Sequence, residues 1–303
     1  MIYTDLTMSS LKDSLASYAR DIAEILPNGY FYDFRQNVFN HTMEPRFISM
    51  FLDGDGNELV SKACAAHSSS MLGYNFFHWI SEERELKITF QDGETVSYNK
   101  VLFEVKIPVL PRSNANMDIV LRNSEGAWLF IESKFLEYMN TEAFKISETY
   151  VNKPEAYYDL AIGRQWSEFI SLYDTRLKNQ YWPGIKQEMC HLIGLTNWMM
   201  LGIEIFKEKF LREKYEKGTG DIRFINLVYA PDKERFPNEY GYMEAYRNRY
   251  EDLHKQIHEK RLIPIGLKME FMTYSDLWPA LQQSLLPDGL KEYLNNHYMQ
   301  FAE

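Results

Sequence analysis

Leu11, Leu15, Tyr18, Ile22 and Ile25 recur at helical spacing and predict a helix from about Thr7 to Leu26, closed by Pro27-Asn28-Gly29. A second helix is expected from Thr42 as cap, with Pro45 in its first turn and Phe47, Ile48, Phe51 and Leu52 inside. Asp53-Gly54-Asp55-Gly56-Asn57 ends it, and a third helix follows from about Glu58 to Ile80. The pattern then shortens. Leu86–Phe90, Val101–Val109, Met117–Leu121 and Trp128–Phe135 are rich in β-branched and aromatic residues and predict strands. Asp92-Gly93 and Asn123-Ser124-Glu125-Gly126 lie between them as hairpin turns. Thr141–Tyr215 reads as helical, Ile222–Tyr229 as a strand, Tyr240–Lys260 as a charged surface helix and Leu267–Met272 as a last strand before short C-terminal helices. Helices, then strands, then helices and a strand describe an α/β fold: a mixed sheet with helices on both faces.

Composition narrows the class. The chain has 303 residues, 45% of them hydrophobic and 25% charged, which excludes a collagen-like or disordered chain. No apolar run is long enough for a transmembrane helix. The start, Met1-Ile2-Tyr3-Thr4-Asp5, lacks the basic and apolar regions of a secretory signal. Two cysteines, Cys64 and Cys190, give neither a disulfide framework nor a cysteine zinc site, so a cytoplasmic protein is expected. The net charge of −10 argues against a protein that coats nucleic acid, which needs a basic surplus. An enzyme acting on nucleic acid needs only a local basic groove.

The strand Trp128-Leu129-Phe130-Ile131-Glu132-Ser133-Lys134-Phe135 carries the chemistry. Its apolar residues fall on both parities, as in a strand covered on both faces. Glu132 and Lys134 then share one face, because side chains two apart point the same way. The preceding strand, Asn116-Met117-Asp118-Ile119-Val120-Leu121, carries one carboxylate, and the turn at 123–126 folds it back beside Glu132 and Lys134. Two carboxylates and an ammonium around one point make a hard-cation site that suits Mg²⁺ and a phosphate oxygen. Glu85-Leu86-Lys87 and Glu104-Val105-Lys106 repeat the Glu-x-Lys pattern without such an aspartate. The plainer alternative is a surface ion pair at a strand end, worth about 0–1 kcal/mol.

Asp118, a hairpin, and Glu132-Ser133-Lys134 resemble the motif of the PD-(D/E)XK nuclease superfamily, the restriction-endonuclease-like fold, and Glu132-Ser133-Lys134-Phe135-Leu136-Glu137 is similar to a little-characterised bacterial branch of it. Met117 stands where the family's name has proline. The resemblance covers about residues 42–230 and implies one domain over 1–303, with 1–41 and 231–303 as helical elaborations. It implies a Mg²⁺-dependent nuclease, with Mn²⁺ as substitute, and favours DNA over RNA as its substrate without deciding between them. It also implies metal ligation by Asp118, Glu132 and Glu44, and catalytic roles for Asp118, Glu132, Lys134 and Gln187. Gln187 lies on the helix after the Glu-x-Lys strand, on one face with His191 and Gly194. Lys145, Lys153, Arg164, Lys178 and Lys186 are candidates for a basic rim. The alternative is a catalytically inactive member that binds nucleic acid or protein. His254 and His258 share a helix face, but Lys255, Glu259 and Lys260 around them predict a solvated face rather than zinc ligation. Asp53–Asn57 lacks the distal glutamate of a calcium loop and is expected to be a turn.

Overall fold

The computed structural model describes residues 10–54, 59, 61–110, 113–139, 195, 221–261 and 266–303. The predicted helical span Thr141–Tyr215 therefore lies outside the described residues, apart from Leu195, which is buried.

The helices α1 (Ser10–Ile22), α2 (Pro45–Asp53) and α3 (Ser69–Phe77) precede the sheet. Helix α1 buries Leu11, Leu15 and Ala19 at spacings of four, the stripe read from the sequence. It stops at Ile22 rather than Leu26, because the following chain turns into antiparallel pairing: Leu26 N–H donates to Tyr30 O, and Ile25 bridges Phe31. Helix α2 starts at its proline, with Glu44 as N-cap instead of Thr42. Thr42 instead closes the 3₁₀ turn Phe39–His41. The long helix expected over 58–80 is broken. Asn37 Nδ2 donates to the carbonyls of Ala63 and Ala65, and Phe31 N–H donates to Cys64 O, which takes those carbonyls away from a helical ladder. A 3₁₀ turn at Lys62–Cys64 results, and α3 starts afresh where Ser68 Oγ accepts from Met71 N–H.

A two-stranded hairpin comes next, β1 (Leu86–Thr89) and β2 (Thr95–Tyr98), joined through the positive-φ Gly93. Strand β2 had no sequence signal; it is short and half exposed. Among the described residues the main sheet has five strands: β3 (Lys100–Leu110), β4 (Ser113–Arg122), β5 (Trp128–Lys134), β6 (Ile222–Val228) and β7 (Leu267–Thr273). They lie in that order, β3–β4–β5 antiparallel and β5–β6–β7 parallel. The β4–β5 turn is locked by Asn123, whose Oδ1 accepts from the N–H groups of Glu125 and Ala127.

The helices α4 (Pro237–Glu259), α5 (Tyr274–Gln283) and α6 (Leu290–His297) complete the chain. Both faces of the sheet are covered, and β5 and β6 are buried at every position. Helix α3 lies on one face. A Cβ on Gly73 would meet Ile119 Cδ1 at 2.7 Å and Ser133 Oγ at 3.5 Å, so α3 sits close against β4 and β5, and a larger residue here would force the Ile119 side chain to shift. Helix α4 lies on the other face, where Tyr246 and Tyr250 pack edgewise or tilted against Phe271 of β7. It is less solvated than its charge suggests: Met243, Tyr246, Tyr250, His254 and Ile257 form a buried stripe. His254 is thus a correction to the solvated-face reading. It is buried against Tyr250, with ring centroids 3.8 Å apart, and burial pushes its imidazole down to about 3.

A charged cluster ties the hairpin to the main sheet. Arg223, at the start of β6, is fully buried. Its guanidinium pairs with Asp92, Glu94, Asp221 and Glu270 and lies 3.9 Å from the Phe90 ring centroid. Lys268 joins Asp92, Glu94 and Asp221 from β7.

Candidate active site

The antiparallel register pairs Ile119 with Ile131, and continuing it by one residue sets Asp118 directly across from Glu132. Directly opposed residues share a face, with Cβ atoms roughly 5 Å apart. Ile119 and Ser133 point to α3, so Asp118, Glu132 and Lys134 point to the α4 side. Lys134 Nζ is ion-paired with Glu132 Oε1, and the two side chains are 6% and 1% exposed. This is a buried pair and not the surface pair that the sequence left open. Asp118 Oδ2 accepts a 2.7 Å hydrogen bond from Ser133 N–H, so the residue between Glu132 and Lys134 fixes the aspartate. Glu137, past the strand end, accepts from Phe135 N–H at 2.6 Å.

Burial alone would lower the Lys134 ammonium, but the carboxylates of Glu132, Asp118 and Glu137 outweigh it and hold the side chain firmly protonated. The row continues across the sheet. Asn226 lies across from Glu132 in β6, and its Nδ2 donates to Tyr246 Oη of α4 at 2.7 Å. On the other side, Glu104 of β3 holds the register position opposite Asp118, between the pairs Phe103–Ile119 and Val105–Met117. Its φ of 51° is left-handed, a conformation that costs a non-glycine residue about 1–3 kcal/mol. Its carboxylate turns toward Gly54 at the end of α2.

A family model described as "restriction endonuclease associating with ARP" matches residues 28–299, about nine-tenths of the chain. The chain belongs to this family. Its mixed sheet flanked by helices is the restriction-endonuclease-like fold that the resemblance of the Asp118/Glu132/Lys134 motif implies. No curated protein and no solved structure matches the chain.

In this restriction-endonuclease family member the structure does not bring Glu44 to the other two carboxylates. Glu44 caps α2, is ion-paired with Arg46 at 2.8 Å, and sits more than half exposed. Its charge acts on Tyr74 of α3 and on His78, the residue that caps α3, on the opposite face of the sheet. Its position before Pro45 is explained by helix initiation. Gln187, His191, Gly194 and the candidate rim residues Lys145, Lys153, Arg164, Lys178 and Lys186 lie outside the described residues.

Among the described residues no group of three His, Cys, Asp or Glu side chains is placed to hold a metal ion. The described residues place two carboxylates, Asp118 and Glu132, opposite one another. Mg²⁺ is commonly held in this way, by one or two carboxylates with water and substrate phosphate filling the remaining positions, so Asp118 and Glu132 fit it. Among the described residues no helix is long and apolar enough to cross a membrane.

Sequence reasoning passed over Ser133, Asn226, Tyr246 and Glu104. Tyr246 had a readable signal, the 4-3-4-4-3 spacing of Glu239, Met243, Tyr246, Tyr250, His254 and Ile257. Asn226 had a weaker one, as the single amide in the apolar run Phe224-Ile225-Asn226-Leu227-Val228.

Proposed function

We propose that the chain is a metal-dependent nuclease that hydrolyses phosphodiester bonds in DNA. The observation that carries this reading is the buried Glu132–Lys134 pair with Asp118 opposite it, in a chain of a restriction-endonuclease family. A surface ion pair needs no burial, and here the buried pair lies beside a third charge, Asp118, on the same sheet face. Burying charge is costly unless it is paired, and charged groups gathered at a buried position are a feature of functional sites.

In the proposed mechanism Asp118 and Glu132 hold the cation. Mg²⁺, or Mn²⁺ in its place, would supply Lewis acidity at a phosphate oxygen and lower the pKa of bound water. Ser133 N–H keeps one Asp118 oxygen occupied and so limits how the carboxylate can turn. Lys134 is an ammonium with three donors; it stabilises charge that develops on the phosphate and orients the attacking water. The water-poor setting of β5, buried at every position, strengthens each of these interactions.

Incubation of the purified chain with plasmid, single-stranded DNA and RNA, with Mg²⁺, Mn²⁺ or EDTA, tests the reading. Cation-dependent cleavage with DNA preferred is the expected result. Cation-independent cleavage would refute the metal assignment. Nucleic-acid binding without cleavage under every cation would establish the inactive binding member instead.

A further inference from the structure

Ser133 is buried between the two charged residues of the motif. Its backbone N–H faces the site and holds Asp118 Oδ2 at 2.7 Å. Its side chain faces the opposite side of the sheet. There Ser133 Oγ donates to the carbonyl of Ser69, the first residue of α3, at 3.2 Å. It also lies 2.7 Å from Tyr274 Oη. A serine hydroxyl has one proton. With that proton given to Ser69 O, Tyr274 must be the donor in the second bond. The order is Tyr274 O–H to Ser133 Oγ–H to Ser69 C=O.

Tyr274 is itself fixed. It is the first residue of α5, fully buried, and its ring meets Phe76 of α3 at 4.7 Å in a near-perpendicular contact. The start of α5 is set by a capping box in which Thr273 Oγ1 accepts from Asp276 N–H and Asp276 Oδ2 accepts from Thr273 N–H. Two helices thus grip one serine side chain from behind the sheet, and that serine's amide grips the aspartate in front.

From this geometry we propose that Tyr274 and Ser133 are positioning residues of the candidate site: they set the orientation of Asp118, and through it the cation affinity, without touching substrate. The proposal rests on the nuclease reading only in taking Asp118 as a cation ligand. Partners that orient a metal-binding carboxylate typically contribute about 10–100-fold in affinity or activity. The nearest alternative is that the hydrogen-bonded triad merely adds stability to the α3–β5–α5 packing.

Calorimetric Mn²⁺ titration of the folded full-length chain at 25 °C separates the two, using wild type, Tyr274→Phe and Ser133→Ala. Tyr274→Phe deletes one hydroxyl and keeps the ring that packs on Phe76. Leu277→Val, one turn further along α5 and also buried, serves as a control that loosens packing without touching the triad. Weaker Mn²⁺ binding by about tenfold in Tyr274→Phe and Ser133→Ala, with wild-type affinity in Leu277→Val, is the expected result. In cleavage assays the same variants should need more cation for half-maximal rate while KM for DNA stays unchanged. Wild-type Mn²⁺ affinity in folded Tyr274→Phe would overturn the positioning role and leave the nuclease reading standing. Mn²⁺ binding that follows this pattern in a chain that cleaves nothing would retain the positioning role and remove the nuclease reading. No Mn²⁺ binding by wild type would overturn both.

Discussion

Breaking the Glu132–Lys134 pair from either side is expected to cost far more stability than a strand-end ion pair on the surface. Exposed pairs contribute about 0–1 kcal/mol, whereas removing one partner of a buried pair costs about 3–5 kcal/mol. Exposures of 1% and 6% put this pair in the second class. The two single variants should differ. In Glu132→Gln the Lys134 ammonium still faces Asp118 and Glu137, so the loss falls near the low end, about 3 kcal/mol. In Lys134→Met, Glu132 and Asp118 remain as opposed carboxylates without that cation, and the loss approaches about 5 kcal/mol. The pH dependence of the second variant has a definite sign. A carboxyl whose folded-state pKa is raised above its unfolded value of about 4.3 favours folding at low pH and loses that contribution as pH rises through the folded pKa. Lys134→Met should therefore lose more stability relative to wild type at pH 8 than at pH 5. The double variant Glu132→Gln/Lys134→Met removes the Glu132 charge together with its partner and leaves Asp118 with no carboxylate opposite it, so it should be more stable than the sum of the singles by about 2–3 kcal/mol. Urea unfolding followed by circular dichroism gives all four corners of the cycle. Single losses below about 1 kcal/mol, or strict additivity, would refute the buried-pair reasoning.

Two further outcomes follow from charges outside the site. His254 is neutral in the fold, pushed down to about 3 by burial, while its unfolded value is near 6.5; its contribution is complete above about pH 6.5 and is lost as pH falls toward 3, amounting to about 2 kcal/mol at pH 5. Replacing it by Phe should flatten the fall in Tm between pH 7.5 and pH 5, and an unchanged fall would count against that assignment. Arg223→Met leaves Glu270 and Asp221 without their guanidinium partner at the β6–β7 end and should cost about 3 kcal/mol or more, with faster hydrogen exchange in the β1–β2 hairpin. A change below about 1 kcal/mol in urea unfolding would show that the cluster is solvated.

The strand–turn–strand unit was legible because its signals are local. The apolar run on both parities, the Asn123–Gly126 turn and the two-residue offset of Glu132 and Lys134 all act within about twenty residues, and the pairing of the two strands that they imply is the one observed. The α1 stripe and the β6 run were legible for the same reason. Errors came where tertiary hydrogen bonds override local propensity. The carbonyls of Ala63 and Ala65 satisfy a side chain 26 and 28 residues away, and no window reading can see that. His254 was misread because its sequence neighbours are charged, while its spatial neighbours on the buried stripe are Tyr250 and Ile257. Glu44 looked like a candidate ligand from its position before the sheet, but α2 packs with α3 on the face that Asp118 does not use. The triad behind Ser133 joins residues 69, 133 and 274, a separation that carries no sequence pattern.

The most direct test of the central claim is cleavage of supercoiled plasmid in Mg²⁺ by wild type and by Asp118→Asn. Asp118→Asn is the cleanest probe because it leaves the buried Glu132–Lys134 pair intact and still offers an oxygen to Ser133 N–H, so the fold should survive. It removes the negative charge that a hard cation needs. The account predicts Mg²⁺-dependent nicking or linearisation by wild type and a rate lower by about 10²–10³ in the folded variant, the scale expected when one electrostatic contact to the transition state is lost. Equal cleavage by the two folded proteins, or none by wild type, would contradict it.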